Sequence, residues 1–263
     1  MESGGELIKP AASTLRGSPL GSPGKIAETA RSVRGMFDAV APRYDFLNHF
    51  LSMGFDLAWR RAAAWELRSV LERKESVALD LCCGTGDLTF ALSRVSKGRI
   101  IGADFSHPML QRALAKKGPG HSPVHFLEGD SLALPFADQY ADAAATAFGF
   151  RNLASYAAGL REMRRVLKPG GVLAILEFST VRWPLFGPAF RFYFARILPW
   201  IGSSVSGVRG AYQYLHDSVS RFPGQEQMSA LMREEGFEGV RYRNFMGGVA
   251  ALHLGVKPGK QNS

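Results

Sequence analysis

Three acidic side chains stand at the ends of apolar runs in the sequence, where parallel strands deliver residues that do chemistry. Asp80 ends the first run, Asp104 ends the second, and Asp130 with Ser131 follows the third. A carboxylate accepts hydrogen bonds from ribose hydroxyls or from an adenine edge, and it attracts a cation. Because the carboxyl ends of parallel strands meet at one edge of a sheet, we expect these acids to converge on one small molecule.

A glycine-rich turn with the sequence Gly-Thr-Gly at residues 84–86 follows Asp80 and is followed by Asp87. Glycine lets a backbone turn sharply and lets a ligand approach it closely. A dinucleotide site has a third glycine three residues after the second, where this chain has Thr89. The flanking acids would repel a phosphate, whereas they suit the sulfonium and amino groups of S-adenosylmethionine. We therefore predict this cofactor, bound by Asp80, Gly84, Gly86, Asp104, Asp130 and Ser131.

The elements that must position these residues alternate between strands and helices, which predicts an α/β fold. We expect seven strands in a mostly parallel sheet that closes with an antiparallel hairpin joined through Gly247 and Gly248. Apolar periodicity predicts helices from Leu88, over 153–167 and over 225–235. The segment 168–171, Lys-Pro-Gly-Gly, is expected to end the second of these helices. The predicted strands begin at Val77 and otherwise span 99–104, 124–127, 140–146, 172–178, 237–245 and 249–256.

The loop after the predicted fourth strand holds the main catalytic candidates. It lies at the carboxyl end of a parallel strand beside the topological switch point, where doubly wound sheets place their chemistry. Arg151 and Asn152 are therefore predicted site residues. The alternative is a surface arginine followed by an asparagine that caps the next helix. Tyr44, in a predicted helical lid over residues 26–75, is a third candidate, with local helix capping as its alternative.

We expect one large domain with appendages, because 263 residues suffice for a single α/β core. Residues 1–25 predict a disordered leader and 258–263 a short tail, which leaves 26–257 as the folded domain. Residues 181–222 form an insert with ten aromatic residues and with five arginines against one acid. Part of this insert fits a core-facing helix. The surplus predicts an apolar pocket for a greasy substrate, a membrane-facing surface, or both.

The composition restricts the partners and the compartment. The net charge of +9 implies an acidic partner, either nucleic acid or an anionic membrane face. No apolar stretch reaches the roughly 18 residues needed to span a bilayer, since Arg191 and Arg196 interrupt the best candidate. Cys82 and Cys83 are adjacent and poorly placed to form a disulfide, which indicates a reducing, cytoplasmic location. The six histidines show no metal-ligand spacing, so we predict no metal.

Two longer segments carry a family resemblance: 44–48 (Tyr-Asp-Phe-Leu-Asn) and 165–179 (Arg-Val-Leu-Lys-Pro-Gly-Gly-Val-Leu-Ala-Ile-Leu-Glu-Phe-Ser). Over residues 33–257 the chain resembles the class I S-adenosylmethionine-dependent methyltransferases, and among them the menaquinone/ubiquinone biosynthesis C-methyltransferase family. The resemblance implies a Rossmann-like fold and cofactor contacts at Thr85, Asp104, Asp130 and Ser131. Two positions depart from the family pattern. Cys82 replaces a glycine, and Ala147 replaces a serine whose cofactor contact we do not carry over.

The same resemblance implies methyl transfer to a ring carbon of a demethylated polyprenyl quinol. Demethylmenaquinol is the expected substrate, and 2-polyprenyl-6-methoxy-benzoquinol is the alternative. In such a reaction Arg151 would stabilise a phenolate and Tyr44 and Asn152 would orient the ring, with Asp45 or His216 as weaker base candidates. We also expect peripheral contact with an anionic membrane at its inner face, and homo-oligomer formation stays open.

Two other functions stay open at this point. A nucleic-acid methyltransferase fits the basic charge. However, the exocyclic-amine enzymes of that kind carry an Asn/Asp-Pro-Pro-aromatic stretch where this chain has Phe148-Gly149-Phe150-Arg151, so no nucleic-acid partner is expected. A non-catalytic scaffold that binds the cofactor at a membrane is the other alternative. Competent residues occupy all the expected cofactor positions, which favours an enzyme.

Overall fold

A computed structural model of the 263-residue chain describes residues 54–117, 123–181 and 217–259, together with Gly35 and Ser52. Several predictions fall on other parts of the chain. The leader (1–25), residues 26–53 of the lid except Gly35 and Ser52, and residues 182–216 of the insert lie outside the described residues, as do Tyr44, Asp45, Asn48 and His216. The division into leader, lid, insert and tail therefore stays a prediction.

Seven strands form one sheet: β1 (Val77–Leu81), β2 (Arg99–Asp104), β3 (Val124–Glu128), β4 (Ala141–Ala147), β5 (Leu167–Phe178), β6 (Glu238–Phe245) and β7 (Ala250–Val256). Their order in the sheet is β3-β2-β1-β4-β5-β7-β6. The first five strands run parallel, and β7 runs antiparallel to both β5 and β6. The predicted mostly parallel sheet with a terminal antiparallel hairpin is thus confirmed. The chain reverses its direction of winding between β1 and β4, which makes this the topological switch point.

Six helices within residues 54–117, 123–181 and 217–259 follow the same alternation: α1 (Phe55–Glu66), α2 (Arg68–Leu71), α3 (Asp87–Ser93), α4 (His107–Lys116), α5 (Tyr156–Val166) and α6 (Gln225–Glu234). Every residue of β1 is buried, because helices cover both faces of the sheet. Val77, Leu79 and Leu81 pack in the core that includes α5 and α6. Ala78 packs in the core that includes α1, α2 and α3, and the two-residue period of a strand turns Asp80 toward this second face.

The segment 168–171 differs from its prediction. We expected these residues to end a helix, yet α5 ends at Val166 and β5 already begins at Leu167. Leu167 pairs with Ala141 of β4, and the Gly170 amide donates to the carbonyl of Lys257. Pairing with two neighbouring strands therefore holds these glycines in the sheet, and a register shift with Gly170 at φ +77° accommodates them.

Helices α1 and α2 form the described part of the predicted lid, and both contribute to the core. Leu67 and Leu71 are fully buried, and the Trp59 ring lies 6.2 Å from the ring of Phe148. This part of the segment is a layer of the fold that also forms one wall of the site. Within the described ranges, no helix combines the length and the apolar character that crossing a membrane requires.

Candidate active site

Two cavities open at the carboxyl ends of the strands around the switch point. The larger, of about 390 Å³, is lined by Cys82, Gly84, Asp104, Phe105, Met109, Gly149, Asn152 and Leu153. The smaller, of about 270 Å³, is lined by Arg60, Asp80, Cys82, Cys83, Thr85, Asp87, Leu88 and Ala147. Cys82 lines both cavities, so they lie on either side of the turn that follows β1. Among the predicted site residues, Gly84, Asp104 and Asn152 line the larger cavity and Asp80 and Thr85 line the smaller one, and their binding roles stay predictions.

The turn after β1 is shaped by positive backbone φ angles and by Asp104. Gly84 has φ +55° and Gly86 has φ +86°, values that glycine adopts without steric cost. Asp104 accepts a hydrogen bond from the Gly84 amide at 2.8 Å through Oδ2, and another from the Ser106 amide at 2.9 Å through Oδ1. Each carboxylate oxygen offers two lone pairs, so these bonds fix the side chain and leave it able to accept from ribose hydroxyls.

Asp80 lies beneath this turn with no exposed surface. Its Oδ2 accepts a 2.5 Å hydrogen bond from the hydroxyl of Thr89, whereas its Oδ1 has no hydrogen-bond partner. Burial raises the pKa of Asp80 from its ordinary 3.8 to about 7, against the opposing effects of the Thr89 bond and the charge of Arg60. Thr89, noted in the sequence only because it is not glycine, thus holds the buried acid.

Lys116 forms an ion pair with Asp87, one of the acids beside the glycine turn. Its ammonium lies 3.0 Å from the Asp87 carboxylate and donates to the Thr85 hydroxyl at 2.9 Å. The negative charge of Asp87 is therefore balanced from within the protein. The Lys116 ammonium reduces the attraction that Asp87 offers to a cationic ligand, and a contribution of Asp87 to cofactor binding stays a prediction.

Asp130 and Ser131 are not among the described residues that line the two cavities. The exposed Asp130 folds back on its own turn, where Oδ1 accepts from the amide of Leu132 at 2.9 Å. Ser131 is buried, with its hydroxyl 3.3 Å from the Cys82 sulfur. Their contact with an adenine edge stays a prediction, and Ser131 contacts Cys82, which lines both cavities.

Arg151 and Asn152 belong to a short 3-10 turn, Phe150–Asn152, after β4. Asn152 lines the larger cavity, as predicted. Arg151 is buried and its Nη1 lies 2.7 Å from Oε1 of Glu177, so the alternative of a surface arginine is wrong. The alternative of Asn152 as a helix cap is also wrong, because Ser155 caps α5 by accepting from a backbone amide. A catalytic role for either residue stays a prediction.

Gly149 is required at its position by a neighbouring side chain. Its φ of −113° is open to any residue, but a Cβ there would lie 2.4 Å from the Cβ of Cys82 and 3.1 Å from the Cys82 carbonyl oxygen. We expect Gly149→Ala to lower the free energy of unfolding by about 1–3 kcal/mol and to weaken binding of S-adenosylhomocysteine, because the turn must shift. Urea unfolding and calorimetric titration measure the two effects.

The matched second variant is Cys82→Gly in the Gly149→Ala background. It removes the Cβ that collides, and it places glycine at a position whose φ is +55°. We expect the double variant to recover most of the lost stability and affinity. Equal loss in the single and double variants would show that the contact between residues 82 and 149 does not set the shape of the turn.

The residues of the two cavities fit S-adenosylmethionine. A turn with glycine at 84 and 86 lets a ligand approach the backbone, Asp104 presents a carboxylate to the larger cavity, and Asp80 presents an unpartnered oxygen near the smaller one. An uncharged nucleoside end and a cationic end would be accommodated on the two sides of Cys82. The fold and the cleft are those of a Rossmann-like domain with a site that suits S-adenosylmethionine.

Comparison with known proteins narrows this class. The chain belongs to the ubiE/COQ5 methyltransferase family, whose profile matches residues 25–257. A demethylmenaquinone methyltransferase of Thermus thermophilus is 48% identical over 224 residues, which cover 85% of this chain and 100% of that protein. The demethylmenaquinone methyltransferase of Deinococcus radiodurans is 46% identical, and the match covers 88% of this chain and 94% of that protein. A ubiquinone/menaquinone biosynthesis C-methyltransferase UbiE of Geotalea uraniireducens is 40% identical, covering 89% and 99%.

Solved structures confirm the fold. A SAM-dependent methyltransferase of Thermotoga maritima is similar with a TM-score of 0.60 at 20% identity, covering 86% of this chain and 99% of that one. The [4+2]-cyclase SpnF is similar with a TM-score of 0.61 at 19% identity, and the match covers 86% of this chain and 95% of the cyclase chain. A cyclase with this fold shows that the fold does not define the reaction, so the enzyme class rests on the family.

Proposed function

We propose that the enzyme methylates a ring carbon of demethylmenaquinol, giving menaquinol and S-adenosylhomocysteine. The observation that carries this proposal is the 48% identity to a demethylmenaquinone methyltransferase over the full length of that protein. The cleft supports it, because a carboxylate and a glycine turn for the cofactor stand beside Asn152, a neutral polar side chain suited to a ring hydroxyl.

The reaction needs a nucleophilic carbon, a fixed geometry, a dry site and a base or water that accepts the proton lost from the methylated ring carbon. When bound, S-adenosylmethionine supplies an electrophilic methyl group. Ring hydroxyls of a quinol donate electron density, and ionisation of one makes the adjacent carbon more nucleophilic. We assign Asn152 and Tyr44 to orientation of the ring and the turn that holds Asp80 and Asp104 to orientation of the cofactor. Arg151 pairs with Glu177 and belongs to the same Phe150–Asn152 turn as Asn152, so we assign it to holding that turn.

The second candidate substrate is 2-polyprenyl-6-methoxy-benzoquinol, favoured by the double name of the Geotalea relative. The deciding experiment offers the purified enzyme S-adenosylmethionine with each quinol, kept reduced and carrying the same short prenyl chain. We expect turnover of the naphthoquinol to exceed turnover of the benzoquinol. The reverse preference would establish the alternative substrate. Cofactor binding without turnover of either quinol would support a scaffold, and methyl incorporation into DNA or RNA would support a nucleic-acid substrate.

We further propose that residues 181–222 carry the prenyl chain and bring the enzyme to the inner face of an anionic membrane. The ten aromatic residues and the excess of arginine in this segment support the proposal, and so does the bilayer location of a polyprenyl quinol. Flotation with anionic vesicles tests it. Binding should fall when residues 183–200 are deleted and when the vesicles are neutral. Undiminished flotation of the deletion variant would rule out this segment as the anchor.

A further inference from the structure

Arg60 of α1 is a buried cation with unused hydrogen-bond donors. Only 4% of the residue is exposed, and neither Nε nor Nη1 has a hydrogen-bond partner. The nearest carboxylate oxygen, Oδ2 of Asp56, lies 3.8 Å from Nε, which is too far for a hydrogen bond. Asp56 also accepts a 2.6 Å bond from Ser52. A buried guanidinium normally has its N–H groups satisfied, so within the described part of the chain these two donors are left available to a ligand.

Asp80 presents the opposite charge to the same space. Arg60 and Asp80 both line the smaller cavity, and the Oδ1 of Asp80 has no hydrogen-bond partner. The two side chains do not bond to each other, although the charge of Arg60 favours ionisation of Asp80. One cavity of about 270 Å³ is thus flanked by unsatisfied donors from a cation and an unsatisfied acceptor from an acid. Buried polar groups without partners are unfavourable, and a ligand of matching charge would satisfy both side chains.

The remaining walls exclude most other ligands. Cys82 is a neutral thiol, since burial raises its pKa to about 12. Asp87 is paired with Lys116. Among the described residues that line this cavity, Arg60 provides the one cationic side chain. A phosphate would bring its negative charge toward Asp80, and a simple cation would bring its positive charge toward Arg60. A ligand group that carries one charge of each sign on adjacent atoms satisfies both side chains.

We propose that Arg60 binds the carboxylate of the amino-acid end of S-adenosylmethionine while Asp80 binds its ammonium group. This places the zwitterionic end in the smaller cavity and the nucleoside end in the larger one, with Cys82 between them. The proposal rests on the S-adenosylmethionine dependence stated above and is independent of which quinol is methylated. It assigns to α1, otherwise a core helix, a residue of the cofactor site.

The test removes the charged groups from the ligand and from the protein separately. Calorimetric titrations compare S-adenosylhomocysteine with its decarboxylated analogue, 5′-S-(3-aminopropyl)-5′-thioadenosine, and with 5′-methylthioadenosine, which lacks both charged groups. A buffer of about pH 8 keeps Asp80 mostly ionised. We expect the native enzyme to bind the decarboxylated analogue at least 20-fold more weakly than S-adenosylhomocysteine, at about 2 kcal/mol for a hydrogen-bonded charge pair.

The variants then locate the effect. Arg60→Met should weaken S-adenosylhomocysteine by the same factor of about 20 and change the affinity for the decarboxylated analogue by less than about 3-fold. Asp80→Asn should weaken both amine-bearing ligands and leave 5′-methylthioadenosine unaffected. Arg61→Met, an exposed neighbour on the same helix, is the matched control and should change none of the three.

Two results would overturn the proposal. Equal weakening of S-adenosylhomocysteine and its decarboxylated analogue by Arg60→Met would show that Arg60 shapes the cavity without contacting the carboxylate. Equal affinity of the native enzyme for these two ligands would do the same even if every Arg60 variant failed to fold. Because no quinol is present, failure of the proposed substrate would leave these titrations unchanged, and the two proposals fail separately.

Discussion

Replacing Glu177 by alanine is expected to lower the free energy of unfolding by about 3–5 kcal/mol. The carboxylate of Glu177 is 1% exposed and accepts three hydrogen bonds within the described residues: from Nη1 of Arg151 at 2.7 Å, from the Arg151 amide at 3.2 Å and from the Phe178 amide at 2.9 Å. Its removal takes away the carboxylate that pairs with the buried guanidinium of Arg151. The loss is larger than for most ion pairs, because water cannot replace the missing partner.

A double-variant cycle measures the interaction energy between Arg151 and Glu177, apart from what each side chain contributes by itself. Arg151→Met and Glu177→Met should each be strongly destabilising, and the double variant should cost less than the sum by about 0.5–3 kcal/mol, since neither charge is then left alone. The exposed pair of Arg161 and Glu235, 3.0 Å apart, is the control and should contribute at most about 1 kcal/mol. Urea unfolding of all variants gives the values. A Glu177→Ala cost below 1 kcal/mol would mean that water reaches this site.

The same variants test the catalytic role predicted for Arg151. If Arg151 acts only by holding the Phe150–Asn152 turn, a double variant with restored stability should regain turnover and keep affinity for S-adenosylhomocysteine. If the guanidinium stabilises a phenolate, turnover should stay low and its pH optimum should move upward, because the phenol then ionises less readily. Assays well below the unfolding temperature keep stability out of the comparison.

The seven strands were predictable because central strands covered on both faces produce apolar runs, as in β1 and in 172–178. The convergence of Asp80 and Asp104 followed from the geometry of parallel strands alone. The start of β5 was not predictable, because glycine and proline normally end a helix there. Here these residues lie in a strand, because backbone pairing with β4 and with Lys257, which is distant in the sequence, outweighs their local preference.

The ion pairs of the site could not be predicted from the sequence, because their partners also lie far apart along the chain. Lys116 bonds to Asp87 across 29 positions, and Arg151 bonds to Glu177 across 26. Local patterns carry no record of such distant pairs. Arg60 is followed by a second arginine in a helix of ordinary composition, so only the folded structure distinguishes the buried Arg60 from the exposed Arg61. Elements could be predicted from the sequence, whereas the partners of charged groups could not.

Asp80→Asn is expected to stabilise the cofactor-free enzyme by an amount that grows with pH. Burial raises the pKa of Asp80 from 3.8 to about 7, so the neutral form is the one that the fold favours. The stability that this proton provides is complete below pH 3.8 and is lost as the pH rises through about 7. Asparagine does not titrate, so the free energy of unfolding of the variant should rise relative to that of the native enzyme across this pH range. The full difference is roughly 4 kcal/mol, at about 1.4 kcal/mol per pKa unit.

Urea unfolding from about pH 5 to pH 8.5 gives the free energy of unfolding of the variant and of the native enzyme. Subtracting one from the other at each pH removes the contribution of the titratable groups that both proteins contain. A constant offset reports the asparagine side chain itself, whereas the slope reports the proton. Saturating S-adenosylhomocysteine should reduce the slope, because its ammonium favours the ionised form of Asp80. A flat difference in the cofactor-free enzyme would mean that water hydrates the carboxylate, and the unsatisfied oxygen that draws the ammonium into the smaller cavity would not exist.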